Sequence, residues 1–184
     1  MRVIGGTARG RPLTAPKSAT LRPTADRVRE AIFDVLGSLG VVDGAEVVDL
    51  FAGTGALGIE ALSRGAARAT FVERERRHAE AIVANLTATG LAERPHEVVT
   101  REVLGYLAHS RPACSLCFAD PPYGFADWAA LLDVLPGELV VLESSAPIEL
   151  GPAHELHRVY RYGTTLVTVA RRTAHGASGG GVLG

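Results

Sequence analysis

From Glu46 onward the chain changes period repeatedly, and that alternation limits the folds open to it. Short apolar runs of strand length are separated by helical repeats: EVVDLF then ALGIEALSRG, ATFVE then RRHAEAIVANLTATG, HEVVT then VLGYLAH, CSLCFAD then FADWAALLDVL, and last ELVVLES. Gly65, Gly90 and the pair Pro136-Gly137 stop three of the helices. Strands that recur with a helix between them run parallel, with helices covering both faces of the sheet. The closing stretch ELHRVYRYGTTLVTVARR reads as two strands turning at Gly163, which adds an antiparallel edge hairpin. The expected class is α/β, a mostly parallel doubly wound sheet. Ligands of such sheets sit beyond the carboxyl ends of the strands, where the strand order switches.

With 184 residues the chain suits one domain. No apolar run approaches the roughly 20 residues of a membrane span. The opening MRVIGGTARG has no apolar signal core, so a cytoplasmic protein is expected. The net charge of −1 hides an asymmetry. Residues 1–29 hold Arg2, Arg9, Arg11, Lys17, Arg22, Arg27 and Arg29 against Asp26 alone, a balance of +6 that leaves −7 for the rest. A basic arm on an acidic body suits contact with phosphates; a solvated polar extension is the plainer alternative.

Within this arm, RVIGGTARGRPLTAP reads as a hairpin, expected over 1–20. The main domain follows over 21–172 and opens with an amphipathic helix in RPTADRVREAIFDVLGSL. There Val28, Ile32, Val35, Leu36 and Leu39 recur at helical spacing, between a start signal at Pro23-Thr24 and a stop at Gly40. The tail over 173–184, with HGASGGGVLG, is Gly/Ser-rich and expected to be disordered.

Cys114 and Cys117 form a C-x-x-C, but a zinc site needs about four ligands and no second cysteine pair exists. Placed in a strand, an odd spacing sends the two side chains to opposite faces, as buried thiols. His154-x-x-His157 alone is a weak metal pair, and no metal is expected.

The loop after the first strand carries Gly53-x-Gly55-x-x-Gly58. Glycines there permit a tight turn and close approach of backbone to a ligand. Twenty residues past Gly53, Glu73 ends the next strand, where a carboxylate can accept both hydroxyls of a ribose. The plainer alternative is a close helix–strand crossing with a surface Glu. A dinucleotide would set its pyrophosphate at the helix N-terminus. Asp49, four residues before Gly53, would repel it, but suits an ammonium group. Charge therefore leans toward S-adenosylmethionine, although Asp49 could instead cap N–H groups of its own loop.

The stretch FADPPYG places Asp120 at the carboxyl end of the fourth strand, on the same edge as the glycine loop. Pro121 and Pro122 lack N–H groups and hold φ near −65°, so the segment is a rigid set of acceptors beside the ring of Tyr123. A planar base with an exocyclic amine fits it. Asp120 and the Pro121 carbonyl take the two N–H bonds, Tyr123 stacks on the base, and positive charge developing on nitrogen is stabilised by the carboxylate. A strand-end turn with a core tyrosine is the alternative.

DPPY is similar to the motif of methyltransferases that modify exocyclic amines of nucleobases. Together with RVIGGTARGR, LRPTADRVREAIFDVL and VVDLFAGTGALGIEALSRGA, it resembles a narrower family. That family comprises the bacterial methyltransferases acting on the N2 of a guanine in 16S (small-subunit) ribosomal RNA. The resemblance runs from Arg2 to about Arg171, and RPTADRVRE is its most discriminating part. It implies a Rossmann-like class I methyltransferase, a seven-stranded sheet with a small N-terminal β-hairpin extension, dependent on S-adenosylmethionine. Asp49, Phe51, Gly53 and Gly55 match the cofactor loop, and Glu73 the ribose-binding acid. Asp120, Pro121, Pro122 and Tyr123 match the catalytic motif. Arg22, Thr24, Arg27 and Arg29 match a basic motif expected to face RNA, with Arg9 and Arg11 on the arm beside it. Relatives often carry an Asp near the adenine after the third strand, where this chain has Glu102. The implied partner is 16S ribosomal RNA in an assembling small subunit, met by a monomer with no membrane contact. The rival readings are an amino-methyltransferase acting on adenine N6 in DNA, a dinucleotide-dependent oxidoreductase, and a module that binds without chemistry.

Overall fold

Successive residues of the inner strands enter opposite cores. Val47, Phe71, Phe118 and Val141 pack into one, and Val48, Val72, Cys117 and Val140 into the other. This is the period-2 geometry of a sheet buried on both faces. A computed structural model describes residues 1–16, 24–110, 112 and 114–174. Its strands are β1 (Glu46–Leu50), β2 (Arg68–Glu73), β3 (His96–Thr100), β4 (Leu116–Ala119), β5 (Leu139–Ser144), β6 (His154–Tyr162) and β7 (Thr165–Arg172). They form one sheet in the order β3-β2-β1-β4-β5-β7-β6. The first five are parallel; β7 runs antiparallel to β5, and β6 to β7. The strand order reverses between β1 and β4, which makes that gap the switch point of the sheet.

Helices α1 (Thr24–Leu39), α2 (Ala56–Ser63) and α3 (Arg76–Ala88) cover one face through Val28, Ile32, Phe33, Leu36, Ile59 and Ile82. Helices α4 (Val103–His109) and α5 (Trp128–Val134) cover the other through Val103, Leu107 and Leu131. Gly58 explains how closely α2 lies on the sheet: a Cβ there would stand 2.3 Å from the ring of Phe71. Helix α5 starts later than its apolar pattern predicts. Phe125 stays outside it and packs edge-on against Trp128, ring centroids 5.3 Å apart.

The basic arm forms its hairpin, with an antiparallel bridge between Arg2 and Pro12 and bonds from Val3 N–H to Arg11 O and from Gly10 N–H to Val3 O. It is not a free extension, because Val3, Ala8 and Leu13 are buried in the same core as α1 and α2. The amides of Ile4 and Gly5 each donate at 2.7 Å to Glu60, a carboxylate with no exposed surface. Ala8 N–H donates to the Ser63 hydroxyl at 2.9 Å. The sequence-based expectation for residues 175–184 of the tail lies outside the described residues.

The cysteines depart from expectation. Strand β4 begins at Leu116, so Cys114 lies in the loop before it and the period-2 rule does not reach it. Both cysteines lie against the same core rather than on opposite faces; Cys114 donates to Leu116 O at 3.2 Å and Cys117 to Phe118 O at 3.7 Å, and burial drives the Cys117 thiol pKa well above its usual range.

Candidate active site

At the switch point, Asp49 pairs with Phe118 and Leu50 with Ala119, so Phe51 and Asp120 leave adjacent strands at the same level. The chain after β1 turns at once. Phe51, Gly53 and Gly55 all have positive φ, at 57°, 55° and 78°. For Gly53 and Gly55 this costs little; for Phe51 it is a strained conformation of the kind that persists where surrounding structure over-determines it. The restraint is visible. Gly53 N–H donates to Glu73 at 2.8 Å, Asn85 donates to Thr54 O at 3.0 Å, and the Phe51 ring packs edge-on against Phe125 at 5.4 Å.

Three carboxylates surround this turn. Glu73, 6% exposed, ends β2 and accepts from Gly53 N–H and Glu75 N–H. Asp49, 2% exposed, accepts from Gly58 N–H at 2.9 Å. The capping role left open for Asp49 is thus realised. Burial, together with the charges of Asp120 and Glu73, pushes its pKa up to about 8, against the pull of the Gly58 N–H. Asp120 stands exposed at the end of β4. Next to it the Pro122 carbonyl accepts from Phe125 N–H at 3.1 Å and closes the turn, which leaves Tyr123 81% exposed over the same edge.

A fixed glycine turn edged with acid suits one class of ligand. Pyrophosphate would meet three carboxylates. A ligand with an ammonium and a sulfonium would relieve the cost of burying Asp49 and find hydroxyl acceptors in Glu73. The residues present therefore fit S-adenosylmethionine.

Not every expected residue serves the site. Both oxygens of Glu102 are used to cap α4, accepting from Leu104 N–H at 3.1 Å and Gly105 N–H at 2.7 Å. The structure thus gives Glu102 a helix-capping role. Arg29 is corrected more firmly. It is 3% exposed, donates to Arg2 O and to Asp26 at 3.0 Å, and lies 3.8 Å from Glu60. An arginine so enclosed has no surface with which to meet RNA. Arg9, Arg11 and Arg27 are exposed. Thr24 is the first residue of α1, and Arg22 lies outside the described residues.

Asn85 and Glu60 belong to none of the expected site motifs, yet both are buried polar residues. Each is a polar residue on the buried stripe of a helix, Asn85 between Ile82 and Leu86 and Glu60 between Ile59 and Ala61. That break in an apolar stripe is the signal that could have found them. A trough of about 530 Å³ over β6 and β7, lined by residues such as Ile148, Leu156, Val159 and Arg161, contains none of the three carboxylates.

The family model described as "Conserved hypothetical protein 95" matches residues 1–171. The chain is 44% identical over 123 residues to "Ribosomal RNA small subunit methyltransferase D" of Escherichia coli, a match covering 67% of this chain and 60% of that relative's length. It is 35% identical to "Putative rRNA methyltransferase YlbH" of Bacillus subtilis, over 97% of this chain and 96% of the relative. Among solved structures, "Putative methyltransferase yhhF from Escherichia coli" superposes with a TM-score of 0.81 at 35% identity, covering 95% of this chain and 98% of that one.

Proposed function

This chain belongs to the conserved hypothetical protein 95 family, and from that premise we propose that it transfers a methyl group from S-adenosylmethionine to the N2 amine of a guanine in 16S ribosomal RNA. One observation carries the reading: a strained glycine turn edged by Asp49 and Glu73 lies at the same level as Asp120 of the neighbouring strand. The relatives' names supply the class of RNA. The wider reading has a monomer acting in the cytoplasm on an assembling small subunit; no helix of the described residues is long and apolar enough to cross a membrane.

When bound, the cofactor supplies a methyl on a positively charged sulfur. Glu73 would accept the ribose hydroxyls, and Asp49 would face the ammonium. Tyr123 stacks on the extruded base, since a paired guanine hides its amino group. Asp120 and the Pro121 carbonyl hold the amine hydrogens so that the nitrogen lone pair faces the methyl carbon. Asp120 then stabilises the positive charge arriving on nitrogen and takes the proton that leaves it. The acid edge works against the oxidoreductase reading, because a dinucleotide would bring its pyrophosphate to these carboxylates.

Mass mapping of methylated nucleosides in 16S RNA from cells with and without the protein tests the whole reading. N2-methylguanosine is expected only with it; N6-methyladenosine in its place would refute the guanine assignment. Asp120→Ala is expected to keep cofactor affinity within a few fold and lose about a hundredfold or more in methyl transfer. Full activity in that variant would discard the role of Asp120.

A further inference from the structure

Asn85 joins two segments far apart in sequence. Its Oδ1 accepts from the backbone N–H and the hydroxyl of Thr14, at 2.9 and 3.0 Å. Its Nδ2 donates to the carbonyls of Thr14 and Thr54, each at 3.0 Å. A primary amide has two donor hydrogens and room for two acceptor bonds, so every position is used. The side chain has no exposed surface, and any replacement leaves buried partners unpaired. Thr54 lies between Gly53 and Gly55 in the glycine turn, and Thr14 ends the arm hairpin.

The arm is held at its other end as well. Ile4 and Gly5 are bonded to Glu60, and Thr7 and Ala8 to Ser63, all on α2, the helix that begins at the glycine turn. Both helices that flank the turn therefore carry the arm. We propose that Asn85 is a positioning residue through which the N-terminal arm holds the glycine turn in shape, so that the arm serves cofactor binding as well as RNA. The inference rests on reading this turn as the adenosylmethionine site. A turn that holds Phe51 in a left-handed conformation needs outside restraint to keep its form. Glu73 supplies it at Gly53, and Asn85 supplies it at Thr54.

Two lesions in the full chain separate this from a merely structural role. Asn85→Asp keeps the acceptor for the Thr14 N–H and hydroxyl but removes the donors to the Thr14 and Thr54 carbonyls. Gly6→Ala acts elsewhere: its Cβ would stand 1.9 Å from Ser63 O at a φ of +74°, lifting the arm from α2 without touching the turn. Each variant is expected to raise the Kd for S-adenosylhomocysteine, measured without RNA, about tenfold, with KM for the donor rising more than kcat falls. Together they should cost less than the product of the two, because they break one connection. A third measurement uses the unaltered protein. S-adenosylhomocysteine should slow hydrogen exchange at the Thr14 amide as well as within the turn. Folded variants with unchanged Kd, or a Thr14 amide indifferent to ligand while the turn amides are protected, would overturn the proposal. Failure of the unaltered protein to bind S-adenosylhomocysteine would instead refute the functional reading and this inference with it.

Discussion

At the scale of single residues, Asp49 shows what the site costs in stability. In the unfolded chain its carboxyl titrates near 3.8, and in the fold at about 8. Between those values the folded protein keeps a proton that the unfolded chain has lost, so this residue lowers stability as pH rises through the window. An ammonium beside the carboxylate reverses the balance. Binding adenosylmethionine at neutral pH is therefore expected to release close to one proton, read by calorimetry in two buffers of different ionisation enthalpy. Asp49→Asn should abolish the release, weaken the cofactor about tenfold, and flatten the fall of Tm between about pH 6 and 8. No proton release in the unaltered protein would mean that Asp49 does not meet the cation. Asp49 was recognised in the sequence from its place before Gly53, but its pKa was not. That value depends first on burial and then on Asp120 and Glu73, all of which are set by other segments of the chain.

Elements decide which of two similar residues faces outward. Arg27 and Arg29 stand two apart on α1, about 200° around a helix of 3.6 residues per turn. Val28 and Ile32 turn inward and carry Arg29 into the seam with the arm and α2, while Arg27 remains on the surface. Their variants should separate. Arg27→Ala is expected to leave stability within about 0.5 kcal/mol and to lower the salt slope of RNA binding by about one. Arg29→Glu sets a second carboxylate beside the buried Glu60 and should cost about 3 kcal/mol or more in urea unfolding. Equal stability of the two variants would remove the distinction. The helical spacing of α1 was legible in the sequence, but what its first turn packs against was not. The arm that encloses Arg29 contacts it from 27 residues away.

For the whole molecule, the strand order is what makes a site. β1 and β4 are separated in sequence by α2, β2, α3, β3 and α4, yet they lie side by side and present the glycine turn and Asp120 together. Ligand binding across that gap should stabilise the fold as a unit. S-adenosylhomocysteine at about 100 times its Kd contributes about 2.7 kcal/mol, or roughly 5–10 °C in Tm for a chain of this length. NAD at the same concentration should leave Tm unchanged; a shift with NAD and none with S-adenosylhomocysteine would favour the oxidoreductase reading.

The amino-acid sequence alone determined the alternation of strand and helix, the glycine turn, the acid that ends β2 and the rigid Asp-Pro-Pro corner. These are written in local periods, in residues that tolerate or forbid particular φ values, and in fixed spacings. Only the tertiary structure decided that Arg29 is internal, that Glu102 caps a helix, that Cys114 and Cys117 pack against one core, and that Asn85 joins the arm to the turn. Burial and hydrogen bonding depend on which segments come together, and a linear pattern carries the shape of each segment but not the identity of its neighbour.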